Sequence, residues 1–199
     1  MLKVEKLQVG SLPPLSFSVA GGECVAIEGP SGSGKTRLLR AIADLDDATG
    51  YVFLGGVERR EIPAPNWRRQ VRYLSAEPGW WAATGRAHFR PDTDPARIER
   101  LMQSLGLASE LLDRPIYTLS TGERLRLAFV RGLIDEPRVL LLDEPSSALD
   151  TQSEALVYEL IRFQLLAGRV VLLVSHDPVE VERLSDRRLQ LAALGRAST

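Results

Sequence analysis

The sequence has few features that would direct the chain to an oxidising compartment or to a nucleic acid. Its 199 residues include one cysteine, Cys24, so no disulfide can form within the chain, and a buried thiol is expected. The 25 basic residues are balanced by 26 acidic ones. Because this balance leaves no excess of positive charge for DNA or RNA, no nucleic-acid partner is expected.

Segments that would enter a membrane are missing as well. Residues 1–10 mix charged and apolar side chains and lack the apolar centre of a signal peptide. No apolar run approaches the roughly 20 residues that a membrane-spanning helix needs. We therefore expect a soluble, cytoplasmic protein that, if it serves a membrane, reaches its inner face through a partner.

The strongest motif is a glycine-rich loop at residues 29–36. It reads Gly-Pro-Ser-Gly-Ser-Gly-Lys-Thr and fits G-x-x-x-x-G-K-[ST], the P-loop that binds nucleotide phosphates. A strand is predicted before it, at residues 23–28, and a helix after it, from Arg37. The glycines let backbone N–H groups point at phosphate, and the helix start attracts the same anion. The predicted phosphate-binding residues are Gly29, Pro30, Ser31, Gly32, Ser33, Gly34, Lys35, Thr36 and Arg37.

Two side chains of this loop have defined tasks in P-loops. Lys35 would reach the β- and γ-phosphates, and the hydroxyl of Thr36 would hold Mg²⁺. The alternative is a glycine-rich turn that matches by accident. The strand and helix on either side favour the phosphate-binding interpretation.

The remaining patterns predict an α/β fold: a P-loop NTPase core with a mostly parallel sheet, an N-terminal antiparallel β layer and a small helical subdomain. Antiparallel strands are predicted at residues 2–9, 15–19 and 49–56. Core strands are predicted at residues 71–74, 138–143 and 170–174, with an edge strand at 186–192. Helices are predicted at residues 37–47, 96–105, 120–134, 152–166 and 178–184, with a shorter one at 108–113. Five prolines make residues 62–95 irregular, and we expect one domain over 1–199 with the subdomain at about 78–120.

Three of the apolar strands end in residues suited to phosphate chemistry. The first ends at the P-loop, the second at Asp143 and Glu144, and the third at Ser175 and His176. Ligands of parallel sheets bind beyond the carboxyl ends of the strands, so one site would receive all three. Asp143 is the candidate Mg²⁺ ligand, Glu144 the candidate base for the attacking water, and His176 a contact to the γ-phosphate or that water. The alternatives are solvated turn residues and a structural histidine.

With these motifs in this order, the sequence resembles the ATP-binding cassette (ABC) ATPases over nearly its whole length. Gly29–Thr36 matches the Walker A motif of that family, and Val139–Glu144 matches Walker B with its catalytic glutamate. Leu119–Glu123 is similar to the LSGGQ signature, Ser147–Asp150 to the D-loop, and Ser175–Asp177 to the switch histidine. A signature shortly before Walker B distinguishes this family from other P-loop enzymes.

The resemblance implies a head-to-tail homodimer that forms on ATP binding. Each ATP would lie between the Walker motifs of one subunit and the signature of the other, with Ser120, Gly122 and Asp150 among the contacting residues. The residues alone offer a simpler interpretation, since Ser120 and Glu123 also fit a capping box at a helix start.

The sequence departs from the family pattern at the signature, where Thr121 replaces a glycine, and at two further places around the nucleotide. Where the family usually has a glutamine that senses Mg²⁺, this chain has Ala76. Either Glu77 substitutes, as a third metal residue beside Thr36 and Asp143, or the contact is missing. The usual aromatic that stacks on adenine is missing from residues 8–15, so the base would rest on aliphatic groups such as Val9 or Leu12.

The resemblance implies the nucleotide-binding subunit of a transporter, which hydrolyses ATP with Mg²⁺ to power a separate transmembrane permease. Trp80 and Trp81 lie where family members contact that permease, so one exposed tryptophan could anchor it; the alternative is that both fill a small core. A soluble ABC ATPase acting in assembly, repair or translation is the second hypothesis. A P-loop kinase is disfavoured because the signature and His176 would then have no role.

Overall fold

The computed structural model describes residues 1–191 as two sheets with helices packed around them. The strands are β1 Leu2–Gln8, β2 Leu15–Val19, β3 Cys24–Glu28, β4 Thr49–Leu54, β5 Val57–Glu58, β6 Val71–Ser75, β7 Val139–Asp143, β8 Val170–Val174 and β9 Arg187–Gln190. The helices are α1 Lys35–Ile42, α2 Ala64–Gln70, α3 Pro95–Ser104, α4 Thr121–Leu133, α5 Thr151–Leu166 and α6 Pro178–Leu184. Short 3₁₀ turns occupy Arg59–Glu61, Arg86–His88, Ser109–Leu112 and Ile116–Thr118.

The predicted α/β architecture is confirmed. One sheet is antiparallel, in the order β2-β1-β4-β5, and the other is parallel, in the order β6-β7-β8-β3-β9. In the parallel sheet Asp143 is in register with Ser75 on β6 and with Val174 on β8. Parallel strands in register bring their carboxyl ends to one edge, and that edge carries the predicted chemistry.

Two apolar clusters hold the layers together, one on each face of the parallel sheet. Alternate residues of β7 divide between them: Leu141 faces the antiparallel layer and α1, whereas Leu140 and Leu142 face α4 and α5. Both faces of β7 and β8 are buried, which explains why these strands read as continuous apolar runs. Cys24 is buried as predicted, and burial raises the pKa of its thiol to about 12.

The structure differs from the prediction at α2, which lies inside the stretch that its prolines mark as irregular. Pro65 is in the first turn of this helix, where a proline costs no hydrogen bond. The helix is retained by Trp67, which is fully buried and donates from Nε1 to the Ile42 carbonyl at 2.9 Å. The short helix expected at 108–113 is a 3₁₀ turn, Ser109–Leu112. Part of the edge strand predicted at 186–192 lies outside the described residues.

The prediction of a helical subdomain at about 78–120 stays a prediction. That stretch holds α3 and three 3₁₀ turns, and it contains none of the named strands. Within residues 1–191, no helix is both long and apolar enough to cross a membrane.

Candidate active site

An open cavity of about 510 Å³ lies at the carboxyl edge of the parallel sheet, and we call it the strand-end cavity. It receives side chains from the loop after β3, the end of β7 and the segment after β8, so the three predicted strand ends meet there. The residues that line it are Ser31, Gly32, Gly34, Lys35, Thr36, Arg37, Ala76, Asp143, Glu144, Ser147, Val174 and His176.

The P-loop has the backbone geometry of an anion site. Gly34 has φ +91° and directly precedes α1, and a Cβ there would lie 2.9 Å from Leu12 Cδ1, so only glycine fits. Leu38 is the first residue of the helix whose N–H reaches a backbone carbonyl, that of Gly34 at 2.8 Å. The amides of the preceding turn therefore have no helical acceptor, and no side chain caps the helix start. Phosphate oxygens are suitable acceptors for such amides.

Lys35 closes the loop over these amides. Its Nζ donates to the carbonyls of Gly29 at 2.8 Å and Pro30 at 3.1 Å, which leaves one of its three hydrogens for another acceptor. Ser33 Oγ is buried without a hydrogen-bond partner among the described residues. A Cβ at Gly29 would lie 2.8 Å from that oxygen, so this position also requires glycine.

Asp143 is held at the end of β7 by a tyrosine that sequence reasoning missed. Its Oδ2 accepts a hydrogen bond from Tyr73 OH at 2.8 Å. Burial, followed by Asp143 itself, raises the pKa of Tyr73 to about 12, so the hydroxyl stays a donor at neutral pH. The register of the sheet could have indicated this contact, because Tyr73 lies on β6, the strand beside β7, two residues before β6 ends.

Glu144 and His176 touch each other at the mouth of the strand-end cavity. His176 N–H donates to Glu144 Oε2 at 3.3 Å, and His176 Nε2 lies 3.5 Å from Oε1. Glu144 has φ +54°, a left-handed conformation that costs a non-glycine residue roughly 1–2 kcal/mol. A hydrogen bond from its N–H to the Val174 carbonyl, at 2.8 Å, holds this conformation. The chain thus turns sharply after β7 and aims the carboxylate at His176.

Glu180 is a carboxylate that the sequence analysis missed. It lies on α6, is 0 % exposed, and both its oxygens lack a hydrogen-bond partner among the described residues. Burial raises its pKa to about 7, and the charges of Asp177 and Glu144 act in the same direction. The nearby hydroxyls of Ser175 and Ser146 oppose the shift, although neither reaches hydrogen-bonding geometry. No residue spacing marked this group, because its burial depends on how α6 packs.

Glu77 is not brought to the strand-end cavity. Its side chain is exposed, its N–H donates to Ser75 Oγ at 3.2 Å, and the neighbouring Ala76 lines the cavity instead. The prediction of Glu77 as a metal ligand therefore has no support in this geometry. Among residues 1–191, no three His, Cys, Asp or Glu side chains cluster as a ready-made metal site.

The signature residues lie outside the strand-end cavity, at the start of α4. The predicted capping box is confirmed: Glu123 N–H donates to Ser120 Oγ at 3.2 Å, and Ser120 N–H donates to Glu123 Oε2 at 2.7 Å. This bond lowers the pKa of Glu123. A Cβ on Gly122 would lie 3.5 Å from the Ala148 carbonyl, so the signature adjoins the segment after Glu144.

Asp150 caps α5 and is likewise outside that cavity. Its carboxylate accepts from Ser153 N–H at 2.9 Å and from Ser153 Oγ at 3.0 Å. These bonds lower the pKa of Asp150. Within one chain, Ser120 and Asp150 therefore act as helix caps.

The segment expected to support adenine, residues 8–15, differs from the prediction. Val9 and Leu12 are buried in the core, so neither offers an open face for a base to rest on. Arg37 lies beside this segment, because a Cβ on Gly10 would come within 2.7 Å of its Nη1. The exposed residues of this segment are Gln8, Gly10, Ser11, Pro13 and Pro14.

A separate cleft of about 310 Å³ lies beside Trp81, and we call it the tryptophan cleft. Trp81 is 75 % exposed, whereas Trp80 packs partly against the apolar cluster. Arg131 lies 4.4 Å and 4.8 Å from the two ring centres, and the ring of His88 lies edge-on to both. Burial lowers the pKa of Arg131 to about 10, so it stays charged at neutral pH. Trp81 is therefore largely exposed and Trp80 partly buried.

Comparison with known proteins identifies the family of the chain. A family model described as "ABC transporter" matches residues 12–147. The aliphatic sulfonates import ATP-binding protein SsuB 1 of Xanthomonas axonopodis pv. citri is 36 % identical, over 88 % of this chain and 73 % of its own length. The molybdenum import ATP-binding protein ModC of Rhodobacter capsulatus is 40 % identical over 89 % of this chain. The chain therefore belongs to the ABC transporter family.

Solved structures show the same fold. The ATP-binding subunit of an ABC transporter superposes with a TM-score of 0.86 at 26 % identity, over 96 % of this chain and 85 % of that one. The dimeric cassette MJ0796 superposes with a TM-score of 0.80 at 22 % identity, over 96 % and 94 %. The chain spans 52 % of the length of the Rhodobacter relative, about half of that protein.

Proposed function

We propose that the chain binds ATP in the strand-end cavity and hydrolyses it to drive a separate transmembrane permease. One observation carries the proposal. Lys35, Asp143, Glu144 and His176 come from three different strand ends and line a single cavity. Their chemistry covers the requirements of phosphoryl transfer to water: phosphate binding, charge neutralisation and orientation of the nucleophile.

The phosphate groups would bind the amides of Gly29–Thr36, with Lys35 and Arg37 supplying positive charge. The unused hydrogen of Lys35 and the uncapped start of α1 are the donors that support this assignment. Pro30, Ser31 and Ser33 shape the loop.

Mg²⁺ would be held by Thr36 and Asp143. A hydroxyl and a carboxylate oxygen in one cavity are the hard ligands that Mg²⁺ takes, and the ion keeps several waters besides. When bound, Mg²⁺ neutralises charge that develops on the phosphates. Tyr73 orients Asp143 by its 2.8 Å hydrogen bond. We leave Glu77 out of this site because its side chain is exposed beside the cavity.

Glu144 would take a proton from the attacking water. Its carboxylate is aimed into the strand-end cavity, and His176 beside it can hold either the water or the γ-phosphate. Contact with His176 fixes the direction of the carboxylate, and the positive φ of Glu144 places it beyond the strand.

A second copy of the chain would complete the site. Ser120, Gly122 and Asp150 belong to neighbouring helix starts that lie outside the cavity of their own chain. In a head-to-tail homodimer these residues would meet the ATP of the other copy. A Glu144→Gln variant should therefore elute as a dimer when ATP is present and as a monomer when it is absent. Elution as a monomer with bound ATP would remove the shared site.

The test of the activity is phosphate release from ATP and Mg²⁺. Lys35→Ala should lose roughly 10²–10³ in rate, because a preorganised donor to transition-state charge is removed. Lys3→Ala is the matched control, since Lys3 is a half-exposed lysine on β1 paired with Glu5. Equal rates in the two variants would contradict the proposal, and transfer of phosphate to an acceptor would point to a kinase.

The permease is tested by searching the genes beside that of this chain for one that encodes a multi-span membrane protein, and by co-expressing the two. We expect co-purification and a change in ATP hydrolysis when that protein is present. A rate of hydrolysis that is the same with and without that protein, together with recovery of soluble partners only, would instead favour a soluble ABC ATPase.

A further inference from the structure

A third cavity, of about 440 Å³, lies between α3 and the carboxyl-terminal ends of α4 and α5. We call it the helix-end cavity. It shares no lining residue with the strand-end cavity or the tryptophan cleft. Its volume falls within the roughly 300–1,000 Å³ of small-molecule pockets. The nucleotide chemistry proposed above does not use it.

The walls of the helix-end cavity are largely apolar. Leu101 on α3, Leu133 at the end of α4, and Leu160 and Phe163 on α5 contribute aliphatic and aromatic surface. Phe163 is 66 % exposed, although it is among the largest apolar side chains of the protein. A ligand with an apolar body would remove the exposed surface of Phe163 and Leu101 from water.

The cavity also has uncommitted positive charge. Arg97 is fully engaged, because it donates to the carbonyls of Leu133 and Ile134 and pairs with Glu136. Arg100 has only a 3.6 Å contact with Asp94.

Arg169 has no side-chain hydrogen bond or ion pair among the described residues, although it is partly buried. Burial lowers the pKa of this guanidinium, and Glu136 opposes the shift more than Arg97 supports it. The charged residues that line the cavity are three arginines and two glutamates, which gives the lining a net charge of +1. An anion is therefore favoured over a cation.

A buried amide lies in the same wall. Gln164 is 3 % exposed, and its Oε1 has no hydrogen-bond partner among the described residues. A buried acceptor without a donor costs about 1–3 kcal/mol. A hydroxyl or N–H group on a ligand would supply the missing donor.

We propose that the helix-end cavity binds a small amphipathic carboxylate that carries a hydrogen-bond donor. The carboxylate would pair with Arg169 and Arg100, the apolar body would cover Phe163 and Leu101, and the donor would reach Gln164. Guanidinium groups bind carboxylates with two parallel hydrogen bonds, which gives the head group a defined orientation.

The test is calorimetric titration of the full chain, without nucleotide, so that its outcome is independent of ATP hydrolysis. Octanoate should bind saturably at one site per chain, and 1-octanol and acetate should bind at least about ten-fold more weakly because each lacks one half of the recognition. 3-Hydroxyoctanoate should bind about five-fold tighter than octanoate, which corresponds to one added hydrogen bond.

Three variants and a control locate the site. Arg169→Gln should weaken octanoate about ten-fold. Gln164→Leu should remove the preference for the hydroxylated ligand, and Ser104→Trp should block the cavity from its exposed rim while leaving the core intact. Arg162→Gln is the control, because Arg162 is an exposed arginine on α5 that does not line the cavity. Thermal melting identifies any variant that fails to fold.

Absence of saturable binding would overturn the proposal. So would equal affinity for octanoate and octanol, or binding that persists in both Arg169→Gln and Ser104→Trp.

Discussion

The strand-end cavity and the tryptophan cleft are built in opposite ways. In the first, main-chain features place the chemistry: the P-loop follows β3, Asp143 ends β7, and Glu144 is turned by its own backbone. In the second, side chains from distant segments meet, and Arg131 of α4 lies over two tryptophans some 50 residues earlier in the chain, with a 2.9 Å bond to Gly79.

The difference explains why the strand-end cavity could be predicted from the sequence and the tryptophan cleft could not. A strand end is a fixed point of the sheet, so a residue at that point has a predictable neighbourhood. A cleft formed by packed side chains depends on helix positions that no local pattern encodes. Substitutions should therefore act on chemistry in the first region and on association in the second.

The largest expected effect is in the strand-end cavity. Glu144→Gln should reduce ATP hydrolysis by about 10²–10⁴, the usual contribution of a general base, while ATP binding is retained. Phosphate release and nucleotide binding measure the two separately. Glu77→Gln is the matched control, and its rate of ATP hydrolysis should stay within about two-fold of wild type. Its carboxylate is exposed and accepts no hydrogen bond among residues 1–191, so the loss of about 1 kcal/mol that a broken hydrogen bond causes is not expected. A loss of hydrolysis in Glu77→Gln as large as that in Glu144→Gln would show that Glu77 takes part in the site.

The next effect concerns the buried carboxylate beside that cavity. The pKa of Glu180 is raised from its ordinary value of 4.5 to about 7, so its contribution to stability is fully present below pH 4.5 and is lost as the pH rises through 7. Glu180→Gln, which cannot ionise, should gain on the order of 2 kcal/mol over wild type between pH 5 and pH 8. Urea unfolding at both pH values measures this difference. The same difference in Glu182→Gln, an exposed neighbour, would show that Glu180 is not the source.

In the tryptophan cleft we expect loss of association without loss of the fold. Trp81→Ala should weaken permease binding by about ten-fold or more, as removal of an aromatic anchor does. Its unfolding free energy should fall by no more than about 1 kcal/mol, because the ring is largely in water and its cation–π contact with Arg131 is of the exposed kind. Tyr117→Ala removes another exposed aromatic and serves as the control. Equal permease binding by wild type and Trp81→Ala would end the role of this ring as an anchor.

The smallest expected effect is at the adenine side. ATP and GTP should bind within about three-fold of each other, because no aromatic stacks on the base, a contact worth roughly 1–3 kcal/mol where it exists. Competition with tripolyphosphate should show that the phosphates supply most of the affinity. A strong preference for ATP would reveal base contacts made by other residues.

Most of the fold was predictable because its strands are short apolar runs between clear turns. β7 and β8 were placed to within a residue, and α4 was located by its capping box. Helix α2 was missed because prolines at 63 and 65 mask a helix that depends on the burial of Trp67. Local propensity favours a loop there, but tertiary packing stabilises the helix.

The P-loop at residues 29–36 illustrates what the sequence by itself determined. Glycine spacing, the lysine and the strand and helix around them follow from backbone sterics, which are local and therefore encoded locally. The carboxylates after β7 and the histidine after β8 could be assigned to the same edge for the same reason.

Only the tertiary structure decided which side chains touch. It showed that Tyr73 holds Asp143 and that Glu144 meets His176. It also showed that Ala76 rather than Glu77 lines the strand-end cavity, and that Gln164 and Arg169 line another cavity together. Each of these contacts joins residues whose distance depends on how helices and strands pack. Packing is a property of the whole chain, so no single motif could have encoded it.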